Sequence, residues 1–156
     1  MLHWNLDKNA EPTHIRIEGK LDQEANLDPL RDALQGQIVI DLAGISGINS
    51  CGVREWIDFV RALRRKGCQL VLERCSVHVV DKLNLVLNFR GNGKVRSVYA
   101  PYICEACFVE QELLIDIEDN WQEQLTRDAP SCAQCGEAME LDHIETEYFA
   151  FTDLLD

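Results

Sequence analysis

Polar and apolar residues alternate along the first part of the chain. Residues 13–21 switch between the two characters up to and beyond Gly19, which is the period of a β-strand with one buried face. A shorter strand is expected before it, over residues 3–6. Between residues 26 and 34 the apolar side chains recur at helical spacing and stop at Gly36, so this stretch predicts a short helix.

The next segments repeat a strand followed by a helix. A β-branched run over residues 37–42 predicts a central strand covered on both faces, and a turn is expected over residues 43–50. Apolar side chains then follow one helical face over residues 51–66, and Gly67 ends this predicted helix. A strand over 68–73, a helix over 76–88 and a strand over 94–99 follow. This alternation predicts an α/β fold with a layered sheet and right-handed crossovers.

Four of the seven cysteines occur in two Cys-x-x-Cys pairs, Cys104 with Cys107 and Cys132 with Cys135. Each pair can present two thiolates on a tight turn, so that four sulfurs surround one zinc ion at about 2.3 Å. The odd number of cysteines and the absence of a signal-peptide pattern at the start argue against disulfides. The spacing predicts a structural zinc site with no open coordination position, within a small zinc-ribbon module.

Alternatives exist for the metal and for one ligand. His143 follows the second pair and is a candidate replacement for one of the cysteines. Iron is an alternative to zinc, because the same four thiolates also bind iron. Cys68 and Cys75 flank an apolar run and are interpreted as small buried hydrophobic residues.

Charge is distributed unevenly about an expected domain boundary near position 100. Residues 1–100 carry 14 basic and 12 acidic side chains, whereas residues 101–156 carry one basic and 15 acidic side chains. The chain is therefore divided into an α/β domain over 1–100 and an acidic zinc-ribbon module over 101–156. Because such a module repels phosphate groups, we do not expect it to bind nucleic acid.

The acidic module also contains aromatic residues. They have two interpretations: either they form part of a protein contact surface, or they fill a small core. The residues concerned are Trp121, Tyr148, Phe149 and Phe151.

The order of elements over residues 1–100, together with one local motif, resembles the STAS domain. This is the fold of bacterial anti-sigma factor antagonists and of the cytoplasmic tail of sulfate transporters. The motif comprises the strand over 38–42, the turn over 48–52 and the strand entered at 67–72. In antagonists of this family the turn reads Asp-Ser-Ser-Gly, and a kinase phosphorylates its second serine. Here the turn reads Asn49-Ser50-Cys51-Gly52, so a cysteine occupies the usual phosphoacceptor position.

The resemblance implies that this turn and the start of the following helix contact a protein partner, and three interpretations of the turn follow. It is a fixed surface capped by Asn49 or Ser50 with Cys51 as a packing residue, or Ser50 is the phosphoacceptor, or Cys51 is a low-pKa thiol that senses oxidants. The residues expected to touch the partner are Asn49, Ser50, Cys51, Arg54 and Glu55.

The function expected from this resemblance is that of a non-enzymatic regulatory adaptor of the partner-switching type in bacteria. Its partner would be an anti-sigma or serine-kinase-like regulator. No motif places a histidine beside a nucleophile, no glycine-rich phosphate loop occurs, and the predicted zinc site is closed, so an enzyme is not expected. The alternatives are a scaffold or assembly subunit of a larger complex and a redox sensor acting through Cys51. We expect a cytoplasmic protein without membrane contact, and self-association into a homo-oligomer is a further expectation.

Overall fold

The main sheet lies in the first part of the chain, in a computed structural model that describes residues 1–7 and 9–154. Its strands over these residues are β1 (His3–Asp7), β2 (Thr13–Leu21), β3 (Gln37–Ile48), β4 (Gln69–Glu73) and β5 (Lys94–Val95). They lie side by side in chain order, and β1 is antiparallel to β2 while the other neighbours are parallel. The predicted α/β fold with a layered sheet is thereby confirmed.

Helices cover the apolar face of this sheet. Register places Ile15, Ile40, Leu72 and Val95 in one row across four strands, and all four side chains are buried. Because alternate strand residues share a face, this row marks the side on which the core forms. The helices of this part are α1 (Asp28–Ala33), α2 (Ser50–Arg65) and α3 (Val77–Leu85).

The opposite face of the sheet carries charged residues. Arg16, Asp41 and Glu73 are aligned across β2, β3 and β4. Asp41 is only 8% exposed and accepts a hydrogen bond from Nη1 of Arg74 at 2.8 Å, while Nη2 of Arg74 donates to the Tyr99 hydroxyl at 2.8 Å. These bonds to Tyr99 and Asp41 raise the pKa of Arg74, which stabilises its positive charge at the end of β4.

Strand β3 is longer than the sequence pattern indicates. The prediction of a turn over residues 43–50 is wrong for most of that range, because the strand continues to Ile48. Pairing with β2 explains the difference: Gly44 lies opposite Glu18 and Ile48 lies opposite Leu21, with one shift of register between these pairs and another just before Gly44. Glycines that indicated a turn are in fact accommodated in an irregular part of a strand.

Two other elements differ from the pattern. Helix α3 ends at Leu85, short of the predicted residue 88, because Val86 is extended and Asn88 has a φ of 66°. The strand predicted over 94–99 is interrupted at Arg96. The backbone N–H of Arg96 donates to the carbonyl of Leu72 in the first sheet, and its carbonyl accepts from Ile117 N–H, so this residue leads the chain from one sheet to the next.

A second, antiparallel sheet occupies the described C-terminal part of the chain. Its strand order is β7-β6-β8, where β6 is Ser97–Ile103, β7 is Glu110–Asp116 and β8 is Glu140–Leu141. Helices α4 (Trp121–Arg127) and α5 (Glu145–Tyr148) and a 3₁₀ helix (Ala150–Leu154) complete this region. Within the described residues, no helix combines the length and the apolar character needed to cross a bilayer.

The two sheets share one hydrophobic core. Buried residues of both parts form a single cluster, and β6 runs without a break through positions 100 and 101. The predicted division into two domains near position 100 stays a prediction. Tyr148, Phe149 and Phe151 belong to the shared core, and the Trp121 ring stacks on Phe149 with 4.3 Å between centroids. Tyr148, Phe149 and Phe151 therefore fill the core, and Trp121 is half-buried against it.

Candidate metal centre and partner-binding turn

The two cysteine pairs lie on loops of the same local geometry. In the first loop the N–H of Phe108 donates to the carbonyl of Cys104 at 2.7 Å, and in the second the N–H of Gly136 donates to the carbonyl of Cys132 at 2.8 Å. Phe108 and Gly136 both adopt positive φ values, 60° and 79°. Glycine adopts this conformation without strain, whereas phenylalanine does not. The sequence therefore repeats one knuckle twice, with a strained residue in the first copy.

The four sulfur atoms converge on one point. All four Sγ atoms lie within 4.8 Å of one another, and those of Cys104 and Cys135 are 3.6 Å apart. A tetrahedron with metal–sulfur bonds of about 2.3 Å places its sulfurs about 3.8 Å apart, whereas a disulfide requires about 2.05 Å. The cluster therefore fits one tetrahedrally coordinated metal ion better than it fits disulfides.

Backbone N–H groups contact one sulfur atom in each knuckle. The N–H groups of Cys135 and Gln134 lower the pKa of the Cys132 thiol to about 7, and the Gln134 N–H lies 3.4 Å from that sulfur. In the first knuckle the Cys107 N–H lies 3.4 Å from the Cys104 sulfur. Metals bind the deprotonated form of cysteine, so the donors at Cys132 favour a bound cation, whereas the hydrogen bond with Cys135 and burial raise the pKa of Cys107.

The remaining cysteines and the nearby histidine lie elsewhere. Cys68 and Cys75 are buried, in agreement with their interpretation as small core residues, and burial raises the pKa of Cys75 far above its usual range. Within the described residues, the ligand atoms that gather at the metal site come from the four cysteines only. His143 is not among them, and its ring packs against Tyr148. The structure thus favours the four-cysteine ligand set over the alternative with histidine.

The turn between β3 and α2 is fixed by a complete helix cap. The Asn49 side-chain oxygen accepts a hydrogen bond from the Gly52 N–H at 2.9 Å, as expected for an N-cap residue. Its amide nitrogen donates to Oε1 of Gln23 at 3.0 Å, and its backbone N–H donates to the carbonyl of Leu21 at 3.0 Å. The Asn49 side chain and backbone N–H are therefore paired within the chain, and they hold the turn in place.

Gly52 permits the close approach of α2 to the end of β2. A Cβ atom built on Gly52 would lie 1.9 Å from the carbonyl oxygen of Leu21. Backbone atoms cannot yield by the distance required, so glycine is the residue that this contact allows. The helix start is consequently held against the sheet by both the cap and direct backbone packing.

The predicted contact residues differ in how available they are. Asn49, Ser50, Cys51 and Arg54 are exposed at the start of α2, so the interpretation of Cys51 as a packing residue is wrong. Glu55 is half-buried, and its Oε1 accepts a hydrogen bond from the N–H of Leu27 at 3.2 Å, so this carboxylate also fastens the segment before α1. Their contact with a partner stays a prediction.

Sequence reasoning missed the groups that position the turn. Gln23 and the carbonyl of Leu21 hold Asn49, yet no local spacing connects them to residue 49. Gly52 is the one residue of this turn whose type indicates its position, because glycine allows two backbones to approach closely.

One comparison with known proteins gives a match. The family model described as STAS domain matches residues 3–97. No curated protein and no solved structure matches the chain. The matched range contains β1 to β5, helices α1 to α3 and the capped turn, and it ends where β6 begins. The four cysteines lie outside it.

Proposed function

The chain belongs to the STAS domain family through residues 3–97, and from this premise we propose that it is a non-enzymatic regulatory adaptor. It binds a protein partner through the turn at residues 49–52 and the exposed start of α2. The setting is bacterial partner switching in the cytoplasm, and the partner is an anti-sigma or serine-kinase-like regulator. STAS domains generally act as regulatory modules without catalytic activity, which supports this class of function.

The observation that carries the proposal is the rigid, solvent-facing start of α2. Ser50, Cys51 and Arg54 are exposed there, while Asn49 and Gly52 fix the backbone beneath them. A surface that is ordered before binding loses less conformational entropy when a partner docks. Polar and charged side chains on such a surface also select the partner.

We further propose that the turn acts as a fixed surface. Its cap forms with the unmodified side chains of Asn49 and Gln23, so the conformation requires no added group. Phosphorylation of Ser50 and oxidation of Cys51 stay predictions of the sequence, and both side chains are exposed to a kinase or an oxidant.

The metal centre is proposed to hold zinc in a structural role. Four thiolates complete a tetrahedral shell and leave no position for a substrate, which suits zinc as an architectural ion. Cys104 and Cys132 are buried in the core that joins the two sheets. Metal binding is therefore expected to stabilise the core to which these two cysteines belong.

Charge reversal at the start of α2 is the experiment that tests the proposed function. Arg54→Glu is expected to reduce the amount of partner recovered in a quantitative pull-down from the native cell by about tenfold, because it inverts a charge at the centre of the contact. Arg65→Glu is the matched control, since Arg65 is an exposed arginine at the other end of the same helix. We expect it to leave recovery unchanged.

Two results would contradict this assignment. Equal losses of partner in the Arg54 and Arg65 variants would show that the contact is not at the helix start. A wild-type protein that runs as a stable high-order assembly in size-exclusion chromatography with light scattering, and captures no such regulator, would favour the scaffold alternative.

A further inference from the structure

A groove separates α3 from the segment around α5. Its volume is about 620 Å³, which is within the range of about 300–1,000 Å³ that binding pockets occupy. The apolar part of its lining includes Val77, Leu85 and Pro101. Leu85 is 71% exposed and Ile144, which follows the lining residue His143, is 60% exposed. Large apolar side chains thus stay in solvent at and beside one groove.

Hydrogen bonds hold the two walls of the groove at a fixed distance. Asn84 of α3 donates from Nδ2 to the carbonyl of Tyr148 at 2.8 Å, and its Oδ1 accepts from the N–H of Phe151 at 2.8 Å. Asn84 and Tyr148 both line the groove. The Asn84 side chain thus bonds to two backbone groups of the opposite wall, so the groove is formed before anything binds.

Carboxylates surround the apolar lining. Asp81, Asp142 and Glu147 line the groove, and Asp142 and Glu147 make no ion pair within the part of the chain that the structure describes. Oδ2 of Asp81 lies 3.5 Å from Nζ of Lys82 and forms an ion pair with it. The one basic residue among the 56 at the C-terminal end, Arg127, is engaged by its neighbour Asp128 at 2.9 Å. The groove therefore presents an apolar floor within a negative field.

We propose that this groove is a second docking site, and that its occupant is a basic amphipathic helix of another protein. Apolar side chains at helical spacing would enter between Val77, Leu85 and Pro101, and lysine or arginine side chains beside them would meet Asp142 and Glu147. A second copy of this chain is disfavoured, because two molecules of net charge −12 repel each other. The site is separate from the turn before α2, so its failure leaves the proposed function untouched.

The test measures binding of a synthetic peptide to the full chain. A fluorescein-labelled peptide with leucine at positions i, i+4 and i+7 of a helix and lysine elsewhere is titrated with protein and followed by fluorescence anisotropy. Leu85→Gln and the double variant Asp142→Asn with Glu147→Gln are each expected to weaken binding about tenfold. Leu87→Gln is the matched control, because Leu87 is 84% exposed, two residues further on, and does not line this groove. It is expected to bind as wild type does.

Several results would overturn the proposal. These are the absence of peptide binding to the wild type, equal weakening by Leu87→Gln, and equal binding of a peptide in which glutamate replaces every lysine. A concentration-dependent dimer that Leu85→Gln abolishes in light scattering would assign the groove to a second copy instead. Circular dichroism of each variant, matching that of the wild type, ensures that the comparison is between folded proteins.

Discussion

Replacing Gly52 with alanine is expected to lower the free energy of unfolding by about 3 kcal/mol. The added Cβ would lie 1.9 Å from the carbonyl oxygen and 2.2 Å from the carbonyl carbon of Leu21. Both are backbone atoms of β2, so relief requires α2 to move away from the sheet. That movement would break the hydrogen bond from the Asn49 N–H to the Leu21 carbonyl and would displace the proposed partner surface. Urea denaturation followed by circular dichroism measures the loss.

Gly47→Ala is the matched control for this substitution. A Cβ built on Gly47 meets only the Lys20 Cγ at 3.8 Å, which is ordinary van der Waals contact. We expect its free energy of unfolding to stay within about 0.5 kcal/mol of wild type. Equal destabilisation by the two substitutions would contradict the close packing of α2 on β2, and a stable Gly52→Ala protein would do so as well.

Replacing Cys132 with serine is expected to remove the metal and to lower the free energy of unfolding by about 4 kcal/mol. Cys132 is buried, and the loss of one thiolate leaves an incomplete cage within the core that joins the two sheets. Elemental analysis for zinc and iron, together with thermal unfolding before and after chelation, measures both effects. About one zinc per wild-type chain is the expected content.

Cys51→Ser provides the control for the cysteine substitution. Cys51 is exposed at the start of α2 and lies outside the group of sulfurs, so its replacement should change neither metal content nor stability. A Cys132→Ser protein with full metal content and wild-type stability would contradict the metal centre. If elemental analysis finds iron and no zinc, the four-thiolate site stands and its proposed ion is wrong.

Local patterns in the sequence predict most of the strands and helices. The alternation over β2 and the helical face of α2 arise from burial of one side of each element, so their period is visible in the residues themselves. The two cysteine pairs are likewise local, because each knuckle is a short loop. Their approach to one another follows from the chemistry of thiolates and needs no knowledge of the fold.

Features that depend on distant pairing could not be predicted in this way. The extension of β3 to Ile48 results from its pairing with β2, and the glycines within it resemble turn residues when read alone. The link from Asp41 through Arg74 to Tyr99 joins three separate segments. Asn84, which fixes the groove, bonds to residues at the far end of the chain. None of these partners is marked by spacing, because the tertiary fold brings them together.

Contact between the partner and the start of α2 is the central claim, and photo-crosslinking tests it most directly. A photoreactive phenylalanine derivative would be introduced at position 54 in one protein and at position 65 in another, both on the exposed side of α2. Irradiation in the native cell and mass spectrometry then identify the crosslinked protein. We predict a crosslink to a kinase-like regulator from position 54 and none from position 65. A crosslink to the same regulator from position 65 alone would contradict the account.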